Sequence, residues 1–280
     1  MISPRRKIRR DDVASHYDEL DHFYRDVWGD HVHHGLWLHG GETREEAVLQ
    51  LTEFVAKKAQ IAPDLRVCDI GCGYGATSRL LAGQGAQVTA ITISPAQFAV
   101  AVERMAGNGN LEFLLRDWLE NELPSESFDA AIAIESSEHM PDIAGFFAQA
   151  ERVLKPGGRL IICAWLAAEV TSVRTRAWLL EPICREGRMP FLGTETEYGT
   201  LGEQAGFKLR NFDDITRNVS RTWPAIVQRL LAKLATDPRY LTFLFARHAQ
   251  NRIFALTILR IWLAYRIGAM RYGVFTFVKL

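Results

Sequence analysis

From about residue 62 to residue 212, short apolar runs alternate with amphipathic stretches. That rhythm predicts strands alternating with helices in a parallel sheet covered on both faces, an α/β fold. Residues 65–70 read as a first apolar strand and residues 88–93 as a second, rich in β-branched side chains. Residues 111–115 give a third strand. Residues 128–134 give a fourth, apolar almost throughout, as a central parallel strand is. A fifth covers 159–165 after the turn Lys155-Pro156-Gly157-Gly158, and residues 207–212 and 273–278 read as the last strands. Helices are predicted over 76–82, from Pro95 to about residue 106, and over 142–154. Ser94 suits the N-cap of the second of these and Pro95 its first position.

Two stretches break the rhythm. Residues 166–196 form a long connection with helical portions, and residues 217–268 are strongly helical and rich in Trp, Phe, Leu and Arg. Connections of that length serve as lids or small subdomains. Apolar positions such as Trp223, Ile226, Leu230, Ile261, Trp262 and Tyr265 recur at helical spacing, which fits either core or the wall of an apolar pocket. The expected organisation is one structural domain: a basic flexible tail over 1–12, lid helices and ligand-binding core over 13–165, and the rest of the core with a helical cap over 166–280.

The 280 residues, 48% hydrophobic and 24% charged, exclude a disordered, collagenous or coiled-coil protein. The net charge of zero conceals an asymmetry. Residues 1–10 carry five basic and no acidic side chains, and residues 205–280 carry thirteen basic and three acidic. The basic C-terminal cap suits solvated helix faces or, alternatively, peripheral contact with an anionic membrane. No aromatic-rich motif accompanies these charges, so nucleic acid is not an expected partner. The four cysteines form no CxxC pair, which fits a reduced, cytoplasmic compartment. No apolar stretch follows the basic opening, so no signal peptide is expected. The longest uncharged run, residues 80–102, is broken by Gly, Gln and Pro and does not read as a membrane span.

Between the first predicted strand and its helix lies Asp69-Ile70-Gly71-Cys72-Gly73-Tyr74-Gly75-Ala76. Glycines there permit a tight turn and close backbone approach to a ligand. Gly71, Gly73 and Ala76 also satisfy a looser dinucleotide pattern, but no acidic residue lies between Arg79 and Glu103, where a dinucleotide site places one.

This glycine turn resembles motif I of class I S-adenosylmethionine (SAM) dependent methyltransferases, as do Phe128-Asp129 and the Leu154–Gly158 turn. More narrowly, the segment Tyr24–Gly35 (YRDVWGDHVHHG), Ala90–Gln97 (AITISPAQ) and Glu135–Asp142 (ESSEHMPD) resemble the γ-tocopherol methyltransferase subgroup. That subgroup is itself similar to cyclopropane fatty acid synthases, sterol C-methyltransferases and plant alkaloid N-methyltransferases. The resemblance implies a Rossmann-like seven-stranded sheet with helical cap insertions, SAM as cofactor and S-adenosylhomocysteine as its product. It also implies site residues. Gly71, Gly73 and Gly75 would let the backbone pass beneath the cofactor, with Asp69 orienting the turn or reaching the amino group. Thr92, Ile93 and Gln97 would line its ribose and adenine side. Asp117 would accept from the adenine amino group while Trp118 stacks on the ring. Tyr17 would sit near the carboxylate, and Ile134 would end the fourth strand against the ligand.

Glu135 and His139 stand four apart at the carboxyl end of the fourth strand, where ligands of open α/β sheets bind. If residues 136–141 form a helical turn, both side chains share one face. His139 is the expected general base or acceptor anchor, with Glu135 as its partner or as an acceptor ligand; the bland alternative is that Glu138 and His139 cap the next helix and fix the loop. His31, His33, His34 and His39 are dense, yet their spacing suits no zinc site, and no metal is expected. The acceptor implied is a hydrophobic small molecule, with C-methylation of a phenol or isoprenoid favoured over N- or O-methylation. A lipid-modifying enzyme of the cyclopropane or sterol type, and a SAM-binding module without catalysis, stand as alternatives. The chain is expected to be a monomer or homodimer.

Overall fold

A computed structural model of the chain describes residues 1–105, 107, 109–245 and 254–280. Its centre is one seven-stranded sheet in the order β3-β2-β1-β4-β5-β7-β6. The strands are β1 Arg66–Ile70, β2 Gln87–Thr92, β3 Leu111–Leu115, β4 Phe128–Ile134, β5 Leu154–Ala167, β6 Phe207–Asp214 and β7 Met270–Lys279. The first five pair parallel, and β7 inserts antiparallel between β5 and β6. This is the seven-stranded sheet that the resemblance implies. Lys155–Gly158, expected as a turn, is a bulge within β5. Pairing with β4 jumps from Phe128–Leu154 to Ala130–Arg159, so the extra residues loop out without ending the strand.

Helices α1 Arg10–Val27, α2 Arg44–Ala59, α3 Ala76–Gly83, α4 Pro95–Glu103 and α5 Ile143–Val153 cover the faces. Each start has a local cause. Thr43 and Glu46 form a reciprocal capping box for α2. Ser94 accepts the Gln97 N–H, with Pro95 in the first turn, so α4 begins as expected. Asp142 caps α5 by accepting from Gly145. Central strand side chains such as Val67, Ile132, Ile161 and Phe275 are almost wholly buried, and their apolar area is the main driving force holding the layers together.

The tail over residues 1–12 is not a frayed segment here. Ile2 bridges Leu192 in antiparallel fashion, Ile8 is buried, and the helical part begins at Arg10. The reason is physical: Pro4 and Ile8 are buried and Ile2 is half-buried against the body, while the basic side chains between them face water.

The two long connections fold as helices. The first contains a helical run over 173–186, with a π-helical turn at Arg176–Leu180. The second contains Thr222–Thr236, Pro238–Phe245 and Phe254–Arg266. Trp223, Ile226, Ile261 and Tyr265 are buried, whereas Leu231 and Leu259 are exposed, so the apolar stripe splits between core and surface. Among the described residues no helix is long and apolar enough to cross a membrane.

Candidate active site

The order of the sheet reverses between β1 and β4, and a cleft opens at the carboxyl ends of β1, β2 and β4. Crevices at such switch points hold ligands in open α/β sheets. The three glycines after β1 serve different ends, although all have positive φ. At Gly71 an added Cβ would lie 2.4 Å from Cβ of Ser136, so this glycine lets the loop after β4 close in. At Gly75 it would lie 2.4 Å from the Phe113 ring, so this one seats α3 against β3. At Gly73 a Cβ would meet nothing within 4 Å, and the residue lines the cleft. A backbone bare of side chain along an open cradle is what a bound nucleotide requires.

One end of the cleft is lined by Thr92, Ile93, Gln97, Asp117, Trp118 and Ile134. Thr92 Oγ1 donates to Oε1 of Gln97 at 2.9 Å, which leaves the Gln97 amide N–H groups for a ligand. Asp117 accepts from the Leu119 N–H and faces Arg10 at 3.5 Å. Trp118 is buried, with its indole N–H donating to the carbonyl of Phe146. It is therefore a core residue whose ring also walls the cleft. The other end is lined by Asp69, Gly71, Gly73, Thr77 and His31. Asp69 accepts from Ser78 Oγ at 2.6 Å. Burial pushes its carboxyl up to about 6 against that hydrogen bond. The aromatic and amide groups at one end and the carboxyl and imidazole at the other suit the adenosine and amino-acid ends of SAM.

A second cavity adjoins the cleft. Tyr24, Trp28, Trp165, Ile183, Met189 and Ile261 line it, together with Glu138. Tyr17, Val32, Glu135 and His139 line both spaces and form the junction. There the Tyr17 hydroxyl lies 3.1 Å from His139 Nε2, and His139 Nδ1 lies 3.2 Å from the carbonyl oxygen of Arg188. A carbonyl only accepts, so Nδ1 carries the proton. Nε2 of the neutral ring is then the acceptor of the Tyr17 O–H. Burial lowers the basicity of His139, against the opposing pull of the Arg188 carbonyl and of Glu135. Burial also raises the Tyr17 hydroxyl, so it stays protonated.

Glu135 and His139 both reach the junction, but they are not hydrogen-bonded partners. The expected helical turn is a single 3-10 turn over Ser137–His139, and Glu135 stands at φ 53° before it. That left-handed conformation turns the carboxylate away from His139. Its oxygens instead accept from the His34 N–H (2.7 Å), Trp165 Nε1 (2.8 Å) and the Tyr272 hydroxyl (2.8 Å), with His34 Nδ1 at 3.0 Å. Burial would raise this carboxyl, but His34, through its charge and its side-chain and backbone hydrogen bonds, holds it down to about 2 with a smaller pull from His33. Glu135 is thus an ionised hub that fixes four segments. Glu138 helps to fix the loop, accepting from the Trp165 N–H at 2.6 Å and from Ser137 Oγ, but the next helix is capped by Asp142 and not by Glu138 or His139.

The histidine cluster is held internally. His33 Nδ1 donates to the His34 carbonyl at 2.8 Å, and its Nε2 lies 3.0 Å from His31 Nδ1. Burial pushes His31 down to about 3, with His33 adding to the effect. His39 stands apart, its backbone N–H on Glu42. Sequence reasoning missed Arg10, Val13, Arg116, Met140 and Pro141, which also line the cleft. The run of basic residues around Arg10 reads as a tail. The acidic pair Asp11-Asp12, a helix-start signal, would have placed Arg10 at the head of α1.

Residues 68–162 match the methyltransferase domain family. A chloroplastic tocopherol O-methyltransferase of Arabidopsis thaliana is 28% identical, over 96% of this chain and 82% of the relative. Methyltransferase GfsG of Streptomyces halstedii is 31% identical, over 77% of this chain and 80% of the relative. The solved structure of mycolic acid cyclopropane synthase CmaA1 complexed with S-adenosylhomocysteine (SAH) and CTAB superposes with a TM-score of 0.83 at 21% identity. That match covers 98% of this chain and 99% of the other.

Proposed function

The chain belongs to the class I SAM-dependent methyltransferases, and from that premise we propose that it methylates a hydrophobic small molecule, a prenylated phenol or hydroquinone ahead of other classes. The observation that carries this reading is the junction. An aromatic, apolar cavity meets the cofactor cleft at one neutral imidazole and one phenol. The tocopherol O-methyltransferase relative supports a phenolic acceptor.

When bound, SAM supplies an electrophilic methyl group. The protein's own part is to bind, orient and take a proton. Gly73 would leave the backbone bare beneath the ligand, while Gly71 and Gly75 let the loop at Ser136 and the Phe113 ring pack behind that cradle. Asp69, with His31 nearby, would hold the amino-acid end, and Thr92, Ile93, Gln97, Asp117, Trp118 and Ile134 would hold the adenosine end. Trp28, Trp165, Ile183 and Met189 exclude water and align the acceptor, and alignment supplies much of the rate in such a substitution. Nε2 of His139 is the base. It takes the acceptor's proton directly when that hydroxyl displaces Tyr17, or through the Tyr17 oxygen, which can still accept. Glu135 keeps the floor of the junction rigid and anionic.

The test is incubation with SAM and a panel of prenylated hydroquinones, sterols, acyl lipids and amines. SAH formation and the mass of each acceptor are read together. SAH release with a methylated hydroquinone supports the proposal. A methylated or cyclopropanated lipid would instead favour the lipid-modifying reading. SAH binding with no transfer to any acceptor would favour a SAM-binding module.

A further inference from the structure

The connection after β5 exposes three large apolar side chains within nine residues. Val170 is 91% exposed, Val173 83% and Trp178 82%. Nothing in the catalytic reading uses them. Leu179 and Leu180, next in the chain, are buried, so the helical run over 173–186 presents one apolar face inward and a second one outward. Soluble surfaces scatter apolar residues singly; a cluster around an exposed Trp marks an interaction site.

Positive charge surrounds this patch. Arg174 and Arg176 are exposed on the same helical run. The first ten residues dock along its edge: the Arg5 N–H donates to Glu181, the chain terminus pairs with Glu197, and Ile2 bridges Leu192. Arg5, Arg6 and Lys7 are thereby brought to the side of the patch with their side chains in water. The acidic groups nearby are engaged: Asp12 by Arg6, Glu169 and Glu181 by backbone N–H groups, Glu197 by the chain terminus and Glu186 by Arg185 and Arg260. Two segments some 165 residues apart in the chain thus bring exposed apolar and basic side chains to one side of the molecule. An exposed Trp among lysines and arginines is the composition of a membrane-interface surface.

We propose that Val170, Val173 and Trp178, rimmed by Arg5, Lys7 and Arg174, dock the protein on an anionic lipid surface. The position has a consequence. The same helical run continues into Glu181–Glu186, whose Ile183 walls the acceptor cavity with Gly187 and Met189. The docked face is therefore one helix away from the cavity, so a hydrophobic acceptor passes from bilayer to cavity beside this run. That delivery step rests on the acceptor class proposed above; the lipid contact does not. The surface is not the basic C-terminal cap, whose excess charge gave the first indication of a membrane.

The test is co-sedimentation of the full chain with vesicles of pure phosphatidylcholine and of phosphatidylcholine with phosphatidylglycerol, with SAH titration as a check on folding. The wild type is expected to bind the anionic vesicles and to release them at high salt. Val173→Ser/Trp178→Ser is expected to lower the partition coefficient at least tenfold. Arg5→Gln/Lys7→Gln is expected to lower it about twenty-five-fold on anionic vesicles, at about fivefold per cation. Both variants should keep wild-type SAH affinity, since neither touches the cleft. Wild type that ignores anionic vesicles, or binding unchanged in the variants, overturns the proposal. So does a mass that rises with concentration in the wild type and not in Val173→Ser/Trp178→Ser, which assigns the face to a second copy. Loss of transfer to every acceptor with vesicle binding intact would sink the acceptor class and leave the lipid surface standing.

Discussion

The Tyr17 hydroxyl donates to Nε2 of His139 across 3.1 Å, joining residues 122 positions apart. The bond ties α1 to the loop after β4 and closes the junction between cofactor cleft and acceptor cavity. It also exposes the imidazole lone pair to one side only, because Nδ1 is committed to the Arg188 carbonyl.

His139→Ala should lower turnover by about 10²- to 10⁴-fold, the usual worth of a positioned general base. Tyr17→Phe should lower it less, because the acceptor hydroxyl can then meet Nε2 directly. SAH affinity, measured by calorimetry, should change little in His139→Ala. Because His139 is lowered from its ordinary value, the neutral form persists somewhat below pH 6.5. The acid limb of the rate profile should therefore lie below pH 6.5 and vanish in the Ala variant. Retained turnover in His139→Ala would leave positioning as the sole source of rate.

The glycine turn separates ligand space from packing. Gly73→Arg fills the cradle and should abolish SAH binding. Its stability cost should be about 1–2 kcal/mol, the penalty for a side chain in the left-handed region. Gly75→Ala drives a methyl into the Phe113 ring and should cost more stability, about 2–4 kcal/mol, from clash added to the same strain. Thermal unfolding and calorimetry on both variants check this. Equal loss of binding at equal loss of stability would mean that Gly73 is a packing residue too.

Glu135→Ala should be chiefly a stability lesion. Removing the carboxylate leaves the Trp165 indole, the Tyr272 hydroxyl and the His34 N–H buried without their acceptor. Breaking such a buried charged network costs about 3–5 kcal/mol. The carboxyl is held down to about 2 in the fold, below the unfolded value near 4.5. Its contribution is therefore complete above about pH 4.5 and lost as pH falls toward 2. Denaturant unfolding of both proteins at pH 7 and pH 3 should show the gap narrowing at acid pH. A gap that is small at pH 7 would deny Glu135 the role of hub.

Much of the sheet was legible because its signals are local. The strands from β1 to β4 are short apolar runs bounded by turn residues, and Ser94-Pro95 announces α4 on its own. The glycine turn was legible as a ligand cradle for the same reason. What sequence could not show depends on contacts distant in the chain. That Gly71 serves Ser136 and Gly75 serves Phe113, while Gly73 faces open space, follows only from the packing. The supposed Glu135–His139 partnership rested on helical spacing. One residue at φ 53° and a 3-10 turn in place of an α-turn leave the two without a hydrogen bond, so that Glu135 acts on His139 through its charge alone. The basic opening looked like a tail because charge outvoted Ile2 and Ile8, whose burial needs Leu192 and neighbours far along the chain.

Glu138 supplies the sharpest pH test. It is buried in the wall of the acceptor cavity beside His139. Burial pushes its carboxyl up to about 8, against the Trp165 N–H that favours the charge and with Glu135 repelling it. Folding then takes up a proton at any pH between the unfolded value near 4.5 and about 8. Where the native state binds more protons than the unfolded state, stability falls as pH rises. The wild type should accordingly lose stability from pH 6.5 to 8.5, with the slope fading above pH 8. Two neighbours leave this window clear: Asp69, raised to about 6, acts mostly below it, and His139, which is lowered, acts below pH 6.5 with the opposite sign. Glu138→Gln keeps an oxygen for the Trp165 N–H and cannot ionise. Its stability should be close to wild type at pH 6.5 and greater than wild type at pH 8.5. Melting temperatures at four pH values across the window decide it. Parallel curves for the two proteins would mean that Glu138 is ionised throughout. A second negative charge would then stand at the junction, and the neutral His139 inferred from its hydrogen bonds would have to give way to an imidazolium.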